Sequence, residues 1–386
     1  MTPAARISAA IQVLDWVFSG APVEVALTNW GRASRYAGSG DRHAVRDLVF
    51  DALRCKRSYA ALGGAETGRG VMLGALRAKG IDADQVFTGE GHAPAPVAAD
   101  EAGRTPIGAE ALDIPDWIYP LFHNALGVEL DSTLQAMRQR APVFLRVNVA
   151  KTTLAKAQSA LAAEGIMTRP VDIAKNGLEV IENERKISTS QAYLTGLVEL
   201  QDASSQAVVE AVPLTDGLRV LDLCAGGGGK TLALAARAKL QLFAHDHDPR
   251  RMRDLPDRAK RAGAQVSIMD SPEKSAPYDA VLTDVPCSGS GSWRRDPQGK
   301  WALTQDQLAM LCATQAQILD RAAAMVKPGG LLAYATCSML VEENEDQIVA
   351  FQSRKNGWQA IEIKRFSPVC GGDGFFLCIM RASQAV

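Results

Sequence analysis

Arg219-Val220-Leu221-Asp222-Leu223-Cys224-Ala225-Gly226-Gly227-Gly228-Gly229-Lys230-Thr231 runs from an apolar stretch through four consecutive glycines into helix-forming sequence. A short apolar run closed by glycine reads as a buried strand, and residues 231–238 beyond the glycines read as a helix. Glycines let a backbone approach a ligand closely and take positive φ. The start of a helix offers unpaired N–H groups to a carboxylate as readily as to a phosphate. Spacing excludes two phosphate loops. A Walker A loop needs glycine where Cys224 stands, and a dinucleotide GxGxxG begun at Gly226 needs glycine where Thr231 stands.

The alternation continues outward. Residues 240–245, 266–268, 279–283 and 331–335 read as further strands. Residues 249–262 and 304–326 read as helices, the second ending at Lys327-Pro328-Gly329-Gly330. Apolar strands alternating with helices predict an α/β fold, a mostly parallel, Rossmann-like sheet covered on both faces. Ligands on such sheets lie at the carboxyl ends of the strands. Two cysteines fall there, in Asp284-Val285-Pro286-Cys287-Ser288 and Ala335-Thr336-Cys337-Ser338. Next to the second strand stands His245-Asp246-His247-Asp248. An acid roughly 20 residues past such a glycine loop accepts from ribose hydroxyls. Asp246 and Asp248 both stand at about that distance, although Asp248 reads better as the cap of the next helix. The two histidines have no third ligand, so no metal is expected.

Upstream, residues 1–140 read as helical. Val45, Leu48, Val49, Ala52 and Leu53 form one apolar stripe. Arg42, Arg46, Arg54, Lys56 and Arg57 lie mostly off it, either in intramolecular ion pairs or on an RNA-contacting face. After Pro142 the pattern becomes a small αβ unit, residues 141–200, with a helix opened by Thr152 or Thr153. Residues 201–386 hold the motifs above.

The chain has 386 residues, 47% apolar and 22% charged, with a net charge of −1. That composition suits an ordinary soluble protein, so any nucleic-acid surface is local. Seven cysteines without CxxC spacing argue against a disulfide framework or zinc and for a reducing compartment. No apolar run is long enough for a membrane span, and Arg6 and Asp15 interrupt any signal-like segment. A cytoplasmic monomer is expected. Cys55, Cys312, Cys370 and Cys378 read as core thiols, and Cys224 partly so.

Taken together, the glycine loop and the two cysteine turns resemble the RNA cytosine-5 methyltransferases of the RsmB/Nol1/Nop2/Sun family, whose glycine motif reads DLCAAPGGKT against DLCAGGGGKT here. Gly226 replaces alanine and Gly227 replaces proline, which implies a more flexible loop and weaker binding by the free protein. The resemblance implies S-adenosylmethionine as cofactor, held by Cys224, Ala225, Gly226, Gly227, Gly228, Gly229, Lys230, Asp246, Asp270 and Asp284. It implies Cys337 as the nucleophile toward C6 of a cytidine, Cys287 as the helper in product release, and Asp284 as the group that bonds the base. Lys230, Pro286, Arg294 and Arg295 are implied substrate contacts, the arginines lying on a glycine-hinged loop of Trp293 and Trp301 that departs from the family's RRHPDIKW. The segment from Asp41 to Arg54 resembles a NusB-like helical domain, and residues 141–200 resemble an RNA-recognition-like subdomain without its stacking aromatics. Small-subunit ribosomal RNA is the implied partner. A transfer-RNA target, or a non-catalytic RNA-binding assembly factor, are the alternatives.

Overall fold

Val143-Phe144-Leu145-Arg146-Val147 is the first strand of the chain (β1, Val143–Val147). In the computed structural model, which describes residues 1–384, it lies between β3 (Ala174–Glu182) and β4 (Val198–Leu200). With β2 (Met167–Val171) outside β3, the four make an antiparallel sheet. Helix Leu154–Ala163 covers it, its first turn capped by the Thr153 hydroxyl, which accepts from Lys156 N. Leu145, Val147, Leu161 and Leu178 fill the space between.

The larger sheet has the order β10-β11-β9-β8-β5-β6-β7. Its strands are β5 (Arg219–Asp222), β6 (Gln241–Ala244), β7 (Ser267–Ile268), β8 (Tyr278–Asp284), β9 (Val326–Thr336), β10 (Trp358–Phe366) and β11 (Phe375–Ala382). From β9 to β7 every pairing is parallel, and β11 and β10 close the other side antiparallel. Strands buried on both faces carry unbroken apolar runs, and Val220-Leu221 in β5 and Val281-Leu282 in β8 are of this kind.

Several boundaries differ from the sequence reading. Residues 249–262 split into a 3₁₀ turn, Pro249–Met252, and a helix, Leu255–Ala262, because Pro256 cannot donate within a continuous ladder. Lys327-Pro328-Gly329-Gly330 belongs to β9 rather than to a helix end. The β10 edge strand escaped notice because its burial alternates and its interior is charged. Cys370, read as core, is exposed beside a 3₁₀ turn. No helix among the described residues is long and apolar enough to cross a membrane.

Both sheets belong to one compact unit, residues 141–292 and 304–386. The other unit is helical and joins residues 1–140 to residues 293–303. Helices Lys56–Gly63 and Gly68–Ala78 pack backbone to backbone there, since a Cβ on Gly63 would stand 1.7 Å from the Gly70 carbonyl oxygen. Three of the basic residues that flank the apolar stripe are paired within this unit: Arg46 with Glu24, Lys56 with Glu66 and Arg57 with Asp116.

The sequence places the strip 293–303 with the catalytic part, on a glycine-hinged loop. It is instead built into the helical unit. A helix leaves its last carbonyls without partners. At the end of helix Ser39–Arg54, Trp301 Nε1 donates to Leu53 O at 2.7 Å and Lys300 Nζ donates to Arg54 O at 2.9 Å. Arg54 Nε in turn donates to Arg294 O, and Trp293 stacks on Phe122. Arg294 is only 3% exposed, which withdraws its side chain from a solvent-facing phosphate grip; Arg295 is exposed.

Candidate active site

The glycine loop leaves the carboxyl end of β5 at Asp222. This carboxylate is fully buried; its Oδ2 accepts from Thr231 Oγ1 at 2.7 Å, while Oδ1 has no hydrogen-bond partner. Burial pushes the Asp222 carboxyl up to about 7, against the Thr231 hydrogen bond. Gly226 and Gly228 sit at φ +51° and +82°, the left-handed region that glycine tolerates. A Cβ on Gly228 would stand 2.2 Å from Leu255 Cδ1, so the turn is a cradle with no room for a side chain at that point.

Asp246, at the end of β6, is the anchor of this turn. Its Oδ2 accepts from Gly226 N at 2.9 Å and its Oδ1 from Asp248 N at 3.0 Å. Asp248 caps the following 3₁₀ turn by accepting from Arg250 N, as the helix-cap reading expects. Asp270 is exposed just beyond β7, so Asp222, Asp246 and Asp270 follow the ends of three neighbouring parallel strands. Cys224 lies between Leu223 and the loop. Burial, then the charges of Asp222, Asp284 and Asp246, push its thiol up, the wrong direction for a nucleophile.

The second cluster follows from the pairing of β8 with β9. Asp284 is in register with Ala335, so the turns that leave the two strands begin side by side. They bring Cys287 Sγ and Cys337 Sγ to 3.3 Å, both partly exposed. Lys230, from the first turn after the glycines, reaches Asp284 Oδ2 at 2.6 Å. The Cys287 thiol donating to Cys337 lowers the Cys337 pKa, helped by the Lys230 ammonium and opposed by burial and Asp284. The same bond, then burial, raises Cys287 well above the usual thiol range. These opposite directions make Cys337 the better thiolate of the two. Burial disfavours the Lys230 ammonium, yet the Asp284 charge and hydrogen bond outweigh it and raise its pKa.

A buried carboxylate ties the two turns together. Glu343 is 0% exposed. Its Oε1 accepts from Ser288 N at 2.8 Å and from Gln315 Nε2 at 3.0 Å, and its Oε2 accepts from Ser288 Oγ. Gln315 also donates to Pro286 O, so both neighbours of Cys287 are held. On the Cys337 side, Gly291 N donates to Cys337 O at 2.9 Å, Met339 N to Ser290 Oγ, and Thr336 Oγ1 to Asn344 Oδ1.

The structure thus gathers Cys337, Cys287, Asp284 and Lys230 at one place and Gly226–Gly229 with Asp246 at the adjoining turn. Pro286 is exposed beside Cys287. Sequence reasoning missed Glu343, Gln315 and Arg146. Glu343 stood in Glu342-Glu343-Asn344-Glu345, read as helix-start acids; its nearness to Cys337 was the one available signal. Arg146, on β1, donates to Gly229 O at 2.7 Å from 83 residues away, and nothing local announces it. Among the described residues no group of three or more His, Cys, Asp or Glu side chains could hold a metal ion.

The chain matches the family described as 16S rRNA methyltransferase RsmB/F over residues 209–375, and a ferredoxin-like domain of RsmF/B-like methyltransferases over residues 114–188. It is 31% identical over 307 residues to ribosomal RNA small subunit methyltransferase B of Xanthomonas campestris, covering 74% of this chain and 68% of that protein. The Salmonella arizonae protein of the same name is 34% identical over 248 residues, covering 62% of this chain and 58% of its own length. Among solved structures, PH0851 superposes with a TM-score of 0.77 at 23% identity over 98% of this chain and 99% of its own. A methyltransferase homolog from Pyrococcus horikoshii gives 0.62 at 25% identity, over 71% and 97%.

Proposed function

Because the chain belongs to the RsmB/F family of 16S rRNA methyltransferases, we propose that it methylates C5 of a cytidine in 16S ribosomal RNA, with S-adenosylmethionine as donor and a covalent cysteine adduct on the way. The observation that carries this reading is the thiol pair at 3.3 Å with the Lys230–Asp284 pair beside it, at the ends of two adjacent parallel strands.

The residues present suit that cofactor. The turn Gly226–Gly229 carries no side chains, and Asp222, whose Oδ1 has no partner, and Asp246 stand at the strand ends beside it. Gly226–Gly229 and Lys230 would hold the amino-acid end, Asp246 the ribose, Asp270 the adenine, and Cys224, Ala225 and Asp284 the wall between. S-adenosylmethionine, when bound there, supplies the electrophilic methyl group.

C5 of cytosine is a weak nucleophile until C6 carries an electron-rich substituent. Cys337 as thiolate adds to C6, and the ring becomes an enamine with its density at C5. Asp284 hydrogen-bonds the base at N3 or N4 as charge builds there, and Lys230 orients Asp284. After C5 has been methylated its proton passes to solvent, the C–H electrons re-form the C5=C6 double bond, and the C6–S bond breaks with its pair returning to Cys337. Cys287, whose sulfur lies 3.3 Å from that of Cys337, assists that departure. Pro286 and Arg295 contact the target strand.

Cys337→Ala tests the assignment directly: RNA and cofactor still bind, and methyl transfer stops. Turnover near that of the unaltered protein would refute it. Cys287→Ala should accumulate an RNA–protein adduct through Cys337, visible as a shifted band on a denaturing gel. Absence of that band would remove the release role.

A further inference from the structure

The glycine loop lacks the proline that stiffens its family motif, yet it is not loose. Arg258, from helix Leu255–Ala262, donates through Nη1 to Gly227 O. Its Nη2 lies 3.6 Å from Glu199 Oε1 on β4, a carboxylate also held by Arg261 at 2.7 Å. Arg251 pairs with Asp246 at 3.3 Å, and Arg146 donates to Gly229 O on the other side. A peptide unit is planar, so holding the oxygen of Gly227 also fixes the N–H of Gly228, which donates to Ala225 O at 2.8 Å and closes the turn.

Space explains the exchange of residues. A Cβ on Gly227 would stand 3.0 Å from Arg258 Nη1, and one on Gly226 would stand 3.4 Å from Arg251 Nη2. A side chain at 227 and the guanidinium seated on its carbonyl compete for one volume. A proline there would fix φ of the residue; the arginine fixes the orientation of its carbonyl. Each restricts the loop, the proline through φ and the arginine through the peptide plane that follows.

We infer that Arg258 is a positioning residue for the cofactor loop, a non-covalent substitute for the missing proline at 227, with Arg251 and Arg146 holding the neighbouring residues. The inference rests on the reading of this loop as the S-adenosylmethionine site. It names how the chain keeps that site formed.

The test is a double-mutant cycle in the full chain. Arg258→Ala should speed amide hydrogen exchange over residues 225–229 in the free protein and raise the S-adenosylmethionine Kd, by calorimetry, about three- to tenfold. Adding Gly227→Pro to Arg258→Ala should return the Kd to within about twofold. Gly227→Pro alone should gain little, because it displaces the guanidinium. Arg261→Ala removes the other partner of Glu199 without touching the loop and should leave both readouts unmoved. Arg258→Lys, which keeps the charge and loses the fork, should fall between. Unchanged loop exchange in Arg258→Ala, or an equal effect of Gly227→Pro in both backgrounds, would overturn the inference. If the unaltered protein binds no S-adenosylmethionine, the ligand assignment of the loop fails, while faster exchange in Arg258→Ala still upholds the clamp.

Discussion

Two kinds of turn at the carboxyl edge of one sheet are held in different ways. The cysteine turns are braced through side chains: Glu343, Gln315, Ser288, Ser290 and Ser338 bond one another and the backbone between them. The glycine turn has no side chains to offer, so arginines and Asp246 come from elsewhere to hold its carbonyls and amides. A turn that carries polar side chains can be fixed through them. A turn that presents bare backbone has to borrow its rigidity. Damage to the first should then appear in the chemical step, and damage to the second in cofactor affinity.

The largest effect is expected from Cys337→Ala, which should lower single-turnover methyl transfer by roughly 10⁴-fold or more. Its cofactor Kd should stay within about twofold; a large change there would erase the division. Glu343→Gln keeps the shape of the brace and cancels its charge. A fall in kcat of about 10- to 100-fold is expected, the worth of a buried hydrogen bond to a charged group, again with Kd preserved. Arg258→Ala should do the reverse, weakening cofactor binding while kcat at saturating cofactor stays within about twofold. The smallest effect concerns pH. Cys337 must be a thiolate and its pKa lies below the usual value, so the rate should fall as pH drops through that lowered pKa. Lys230→Met removes a charge that favours the thiolate and should move this acid limb upward by about one unit. An unmoved limb would show that Lys230 does not face the reacting sulfur electrostatically.

Local pattern carried the strand and glycine turn at 219–231, because burial on both faces leaves an unbroken apolar run and positive φ demands glycine. It carried Cys287 and Cys337 as strand-end residues, and register then set them side by side. It failed where the partner is distant. Arg294 reads from sequence as a phosphate contact, but its environment is decided by the helix end at Arg54, some 240 residues earlier, where Lys300 also donates. Glu343 reads from its neighbours as one of several acids at a helix start. Only the fold reveals that Ser288 and Gln315 neutralise its burial cost. Charge is written in the sequence, but desolvation belongs to the folded chain.

The strip at 293–303 has a further consequence for dissecting the molecule. A fragment ending at Arg140 would lack Trp293 against Phe122 and would uncover the carbonyls at the end of helix Ser39–Arg54. A fragment beginning at Ala141 would carry an orphaned tryptophan and a lysine whose ammonium is normally swallowed by another part of the polypeptide. The two halves of the gene are thus not interchangeable cassettes. Recombination at the apparent junction would sever a thread that runs back across it.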